Sequence, residues 1–123
     1  MGVDWNRELV LWVGDHHRNG SMTTGIKLRF DLIPPEVEEA LATILTHGAI
    51  KHEDRGWEGG GDWRRVYSAL RRHLHAWKKG EKIDKESGLP HLWHALARLT
   101  FLVTYEMRGS GKDDITGIGD TFE

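Results

Sequence analysis

From Pro34-Pro35 onward, apolar residues recur every three to four positions. This periodicity constrains the chain to helices as far as about Arg108. Pro35 suits the first turn of a helix because its φ is already fixed near the helical value. After it Val37, Ala40, Leu41, Ile44, Leu45 and Gly48 share one face. Glu36, Glu38 and Glu39 crowd the start, where the helix dipole favours negative charge. This helix is expected to end between Lys51 and Asp54, before the breaker-rich RGWEGGGD. A second is expected from an Asp62 N-cap to Lys79, stopped by Gly80. Its apolar face carries Trp63, Val66, Tyr67, Leu70, Leu74 and Trp77, with His73 among them. A third starts at Pro90 and reaches about Arg108. Leu92, Leu96, Leu99 and Val103 read as its core stripe, joined by Ala95 and Leu102, while His91, His94 and Arg98 lie on a neighbouring stripe. Three such helices predict a mainly α protein, a helical bundle whose core is completed by oligomerisation.

The flanks are less regular. Leu9 to Val13 and Ile26 to Leu32 read as short strands around a turn-rich loop, which gives residues 1–33 the pattern of a hairpin or of irregular chain. His16 and His17 in that loop read as a solvated pair. Residues 109–123 are Gly-rich and acidic and are expected to be mobile or ordered by a neighbour. The length of 123 residues fits one domain, with residues 34–108 as its helical core. A net charge of -2 gives no reason to expect general affinity for nucleic acid or membranes. The chain has no cysteine, so any metal must be held by oxygen or imidazole ligands. No signal-peptide pattern or apolar run of about 20 residues is present, and cytoplasm is the default compartment.

Chemistry concentrates between Gly80 and His94. Glu81, Asp84 and Glu86 place three carboxylates in a loop that feeds a helix start. His91 and His94, three apart, project from one face of that helix, and His73 on the preceding antiparallel helix lies across the turn. The carboxylates suit Mg2+ or Mn2+, with the imidazoles as ligands or as hydrogen-bond partners of ligands. The plainer alternative is that the acids stabilise a helix start and the histidines are core residues. Between Asp62 and Lys85 eight cations, Arg71 and Arg72 among them, face three acids, a local charge of +5. Metal-binding carboxylates beside concentrated Arg and Lys point to a polyphosphate. Trp57, in the Gly-rich loop, has two uses open to it: stacking on a nucleobase or covering the core.

The segments LIPPEVEEALATILTHGAIKHEDRGWEGG and YSALRRHLHAWKKGEKIDKESGLPHLWHAL resemble the phage dATP/dGTP diphosphohydrolase family, itself similar to the MazG-like all-α nucleotide pyrophosphohydrolases. The shared pattern is a double Pro before a helix, GAxKY…NW, RHLxAW and GExxDxE(S/T)GxxHLxHA, over roughly two thirds of the chain. The chain departs from it at His52, where the family has Tyr, and at Gly56, where it has Asn. The ExxE and ExxD metal-ligand pairs of MazG-like helices are replaced here by RRHLHAW and LPHLWH.

The resemblance implies cleavage of a purine (deoxy)nucleoside triphosphate to the monophosphate and pyrophosphate, with Mg2+ or Mn2+ bound between helices of a homo-oligomer, a dimer or tetramer. Carried onto this chain, Glu81, Asp84, Glu86 and His91 are the metal candidates. Asp84, Glu86 and His94 are the catalytic candidates, with His94 or a carboxylate taking a proton from water. Lys51, Trp57, Arg71, Arg72, His73 and Trp77 are the substrate-binding candidates. The host cytoplasm follows if the gene is a phage's, and no stable nucleic-acid partner is expected. Two other classes compete: a non-catalytic nucleotide or single-stranded nucleic-acid binder using the basic stripe and Trp, and an inactive structural homo-oligomer. Three acids inside the basic region argue against the binder, since without a cation they repel phosphate.

Overall fold

Helix α1 runs from Pro35 to Lys51, with Glu36 and Glu38 in its first turn and Lys51 in its last, as the macrodipole favours. This computed structural model describes residues 27–117. Among them three α-helices form and no strand does: α1, α2 over Trp63–Lys78 and α3 over His91–Arg108. The expected strand Leu9–Val13 lies outside the described residues. The expected strand from Ile26 to Leu32 does not form over its described part, where Phe30–Leu32 is a 3-10 turn. Arg29 and Asp31, two apart, make a two-pronged ion pair at 2.7 Å there, and Phe30 is 72% exposed. A strand needs a partner for its backbone and a surface for its apolar face, and this segment has neither among the described residues.

α2 and α3 form an antiparallel hairpin, with α1 on the flank of α3. The start of α2 meets the end of α3 through Trp63, whose indole Nε1–H donates to the Ser110 carbonyl at 3.0 Å. The other end closes through Gly80, whose φ of 101° lets the chain leave α2 in a backbone conformation that L side chains rarely adopt. Between the helices, the Gly56–Gly59 turn places Trp57 flat against Phe101 of α3 (4.4 Å between ring centroids, 16° between planes). Tyr105 Oη–H donates to the Trp57 carbonyl at 2.6 Å, fixing that turn on α3.

Two expectations are corrected. Asp62 precedes α2 but makes no side-chain cap. Its place is taken by a distant carboxylate: the Arg64 backbone N–H donates to Asp114 Oδ1, fifty residues on, at 2.8 Å, and that of Trp63 donates to the Lys112 carbonyl. Residues 110–117 therefore fold back onto the start of α2. The core stripe of α3 is also rotated from the one that apolar periodicity picks. Its buried residues are His91, His94, Ala95, Ala97, Phe101 and Tyr105. Leu92, Leu99 and Val103 face outward, 42–49% exposed. Two histidines can occupy the core because each is hydrogen-bonded there.

Candidate metal centre and cleft

The twelve residues between α2 and α3 are wired to themselves. Asp84 N–H donates to the Leu89 carbonyl at 2.9 Å, Gly88 N–H to the Asp84 carbonyl at 2.7 Å, and His91 N–H to the Lys82 carbonyl at 2.9 Å. Gly88 supplies the left-handed residue that the turn requires, at φ 76°. The Asp84 carboxylate is thereby held inward, accepting from the Glu86 backbone N–H at 3.0 Å and the Ser87 hydroxyl at 3.3 Å.

Asp84 meets two imidazoles. His94 Nε2 stands 3.6 Å from Asp84 Oδ2 and 2.7 Å from Ser87 Oγ. His73, from the middle of α2, lies parallel to His94 with ring centroids 4.6 Å apart. One ligand atom each from His73, Asp84 and His94 falls within 4.8 Å of the others, a spacing that one cation can span. Burial pushes the His73 imidazolium down to about 4, reinforced by His94. Burial likewise lowers His94, against the pull of Asp84. Both rings are neutral at pH 7 with lone pairs available, as metal ligation requires. For Asp84, burial acts to raise the carboxyl, but the Glu86 N–H and His94 outweigh it and hold the group below its usual range.

Behind this cluster runs a second chain of contacts. His73 Nδ1 lies 2.9 Å from His91 Nδ1, and His91 Nε2 lies 2.7 Å from Glu81 Oε2. Glu81, expected as a metal ligand, is thus engaged with His91, and His91 stands between Glu81 and His73.

The cluster opens into a cleft of about 940 Å³ bounded by α1, α2, α3 and the Gly56–Gly59 turn. Lys51, Trp57, Arg72, His73, Asp84, Glu86, His91 and His94 line it, so the structure brings eight of the expected site residues together. Three others stand outside. Arg71 turns to Tyr67, bonding its hydroxyl at 2.6 Å and lying over its ring. Trp77 is covered by the Lys82 ammonium on the outer side of α2, and Glu81 is behind His91.

Two lining residues, Ser87 and Arg98, stand outside the expected site residues. Ser87 bridges Asp84 and His94, a role that no spacing rule marks. Arg98 shares the stripe of His91 and His94, and that placement was the available signal. It is half-buried over the Phe101 ring at 5.4 Å. Burial, and then Arg72 nearby, make its charge less favourable than an ordinary guanidinium's. Among the described residues neither Arg98 nor Arg72 pairs with a carboxylate.

Comparison with known proteins places this arrangement. The family described as dATP/dGTP diphosphohydrolase, N-terminal, matches residues 17–115, which contain all three helices and every residue of the cleft. The chain belongs to this family. A similar protein is the dATP/dGTP diphosphohydrolase of Salmonella phage PMBT28, 33% identical over 84 residues. That match takes in 64% of this chain and 29% of the phage protein, so the chain corresponds to under a third of its relative. No solved structure matches it.

Proposed function

We propose that this domain is the core of a metal-dependent nucleotide pyrophosphohydrolase. It takes a purine (deoxy)nucleoside triphosphate to the monophosphate and pyrophosphate. The observation that carries the reading is the meeting, in one cleft, of a His–Asp–His donor set with two guanidiniums that have no carboxylate partner among the described residues. The name of the phage relative, a dATP/dGTP diphosphohydrolase, supports the same class of substrate.

The donor set fits a divalent ion: two neutral imidazoles and an ionised carboxylate, already converged. Imidazole nitrogen suits first-row transition ions, and Mg2+ prefers a shell of oxygens, so Mn2+ is the better match of the two expected ions. His73, Asp84 and His94 would hold it, and it would supply charge neutralisation at the phosphates and a lowered water pKa. Around that centre Arg72 and Arg98 bind phosphate oxygens, each able to make two parallel hydrogen bonds. They stabilise the charge that builds on the pyrophosphate as its bond to the α-phosphorus breaks. Glu86 borders the cleft with its backbone tied to Asp84, and its carboxylate is the group left to accept the proton from the attacking water. His94, a candidate for that task on sequence, is instead a ligand in this reading. Trp57 and His52 border the same cleft and offer ring surface to a purine.

A homo-oligomer accompanies the proposal. The outer face of α3 carries Leu92, Leu99 and Val103, a stripe more apolar than a solvated helix face sustains and suited to a second copy of the chain.

The test is product analysis. Incubation with dATP or dGTP and Mn2+ is expected to yield the monophosphate and pyrophosphate, and Asp84→Asn to abolish release while far-UV circular dichroism is unchanged. Diphosphate and phosphate as products, or undiminished pyrophosphate from Asp84→Asn, would overturn the assignment.

A further inference from the structure

His91 is engaged with Glu81 on one side and His73 on the other, and the proposed chemistry leaves Glu81 and His91 without a task. An ionised carboxylate only accepts, so at the 2.7 Å contact the proton sits on His91 Nε2. At the 2.9 Å contact between the two Nδ1 atoms, one nitrogen must carry a proton and the other a lone pair. Where His91 carries a single proton, at Nε2, its Nδ1 is the acceptor and the Nδ1 of His73 is the donor. The remaining nitrogen of His73, Nε2, then carries the lone pair.

We propose that Glu81 and His91 are positioning residues: a carboxylate–imidazole relay that fixes His73 in its Nδ1–H tautomer and so turns the Nε2 lone pair to the Asp84–His94 cluster as a metal ligand. This rests on the metal reading above and gives that centre an outer layer that the sequence placed inside it. The relay is also well built for the purpose. His91 is 5% exposed, which keeps water from competing for its nitrogens, and Glu81 is on the solvent side, where its charge is inexpensive to hold. The backbone contributes as well: His91 N–H is tied to the Lys82 carbonyl and Glu81 N–H to that of Ala76, so both side chains start from fixed anchors. Reversing the proton between the two Nδ1 atoms would put the N–H of a neutral His73 on Nε2, which could then ligate no cation. Partners of this kind behind a ligating histidine commonly govern metal affinity by about 10–100-fold.

The test uses the full 15N-labelled chain at pH 7, free of metal and then titrated with Co2+. Long-range 1H–15N spectra report which nitrogen of each imidazole is protonated. Wild type is expected to show His73 protonated at Nδ1 and His91 at Nε2. Glu81→Ala is expected to mix the tautomers of both and to weaken Co2+ binding, followed by its visible absorption, by about 10–100-fold. Glu81→Gln, whose carbonyl still accepts from His91, should recover part of both. Glu81 is partly exposed, so its loss is compatible with folding, and unchanged circular dichroism checks this. His73 protonated at Nε2 in the wild type, or tautomers and Co2+ affinity indifferent to Glu81, would overturn the relay. The expected tautomers without any Co2+ binding to the wild type would uphold the lock and overturn the metal reading instead.

Discussion

At the scale of single residues, Arg98 is the side chain on which the proposed phosphate substrate bears most directly. A half-buried guanidinium with another beside it is electrostatically uncomfortable until an anion arrives. Arg98→Met keeps much of the packing on Phe101 and removes the charge. It is expected to raise KM for the triphosphate about 10–100-fold, the worth of a charge-assisted hydrogen bond or two, in steady-state assays of pyrophosphate release. The histidines make a different prediction. His73 titrates at about 4 in the fold against 6.5 in an unfolded chain, so between those values the unfolded state binds the extra proton. Stability is therefore expected to fall as pH drops from 6.5 to 4 and then to stop falling on this residue's account. Urea melts in the presence of a chelator across that range measure it, and His73→Asn should flatten the slope.

At the scale of elements, the return of residues 110–117 is what finishes α2. Gly111 packs so closely that a Cβ there would lie 2.7 Å from the Gly61 carbonyl oxygen and 2.9 Å from the Trp63 indole nitrogen, at a φ of 75°. Gly111→Ala is expected to cost about 1–3 kcal/mol, whereas Gly61→Ala, which meets nothing within 4 Å, should cost far less. Thermal melts of the two variants decide this. The three helices themselves were legible in the sequence, because Pro35, Gly80 and Pro90 punctuate them and the apolar period fills the intervals. The cap of α2 was not, since Asp114 acts from fifty residues away and Asp62 offers the ordinary local signal. The facing of α3 was misread for a related reason. Counting apolar residues selects Leu92, Leu99 and Val103, yet the helix buries His91 and His94, whose partners Glu81 and Ser87 make burial tolerable. The candidate site was legible as a segment, and eight of its expected residues do line one cleft. The contacts that join Glu81, His91 and His73 were not, because such hydrogen bonding leaves no trace in spacing.

At the scale of the whole molecule, the outward stripe of α3 carries the prediction. If a second copy covers it, light scattering should give at least twice the chain mass. Leu99→Lys, at a position 49% exposed, should reduce the assembly to monomers without loss of helix content. A monomeric wild type would remove the oligomer from the proposal. The wiring of the loop between α2 and α3 has a further consequence for how ions are taken up. Asp84 is already oriented by Glu86 and Ser87, and His94 by Ser87, so ligation freezes few additional torsions. Uptake of the proposed divalent ion would then resemble a key entering a cut lock rather than a clasp being fastened. Its heat capacity change should be small, and its favourable free energy should pass almost undiminished into resistance to unfolding, growing with the logarithm of free ion concentration.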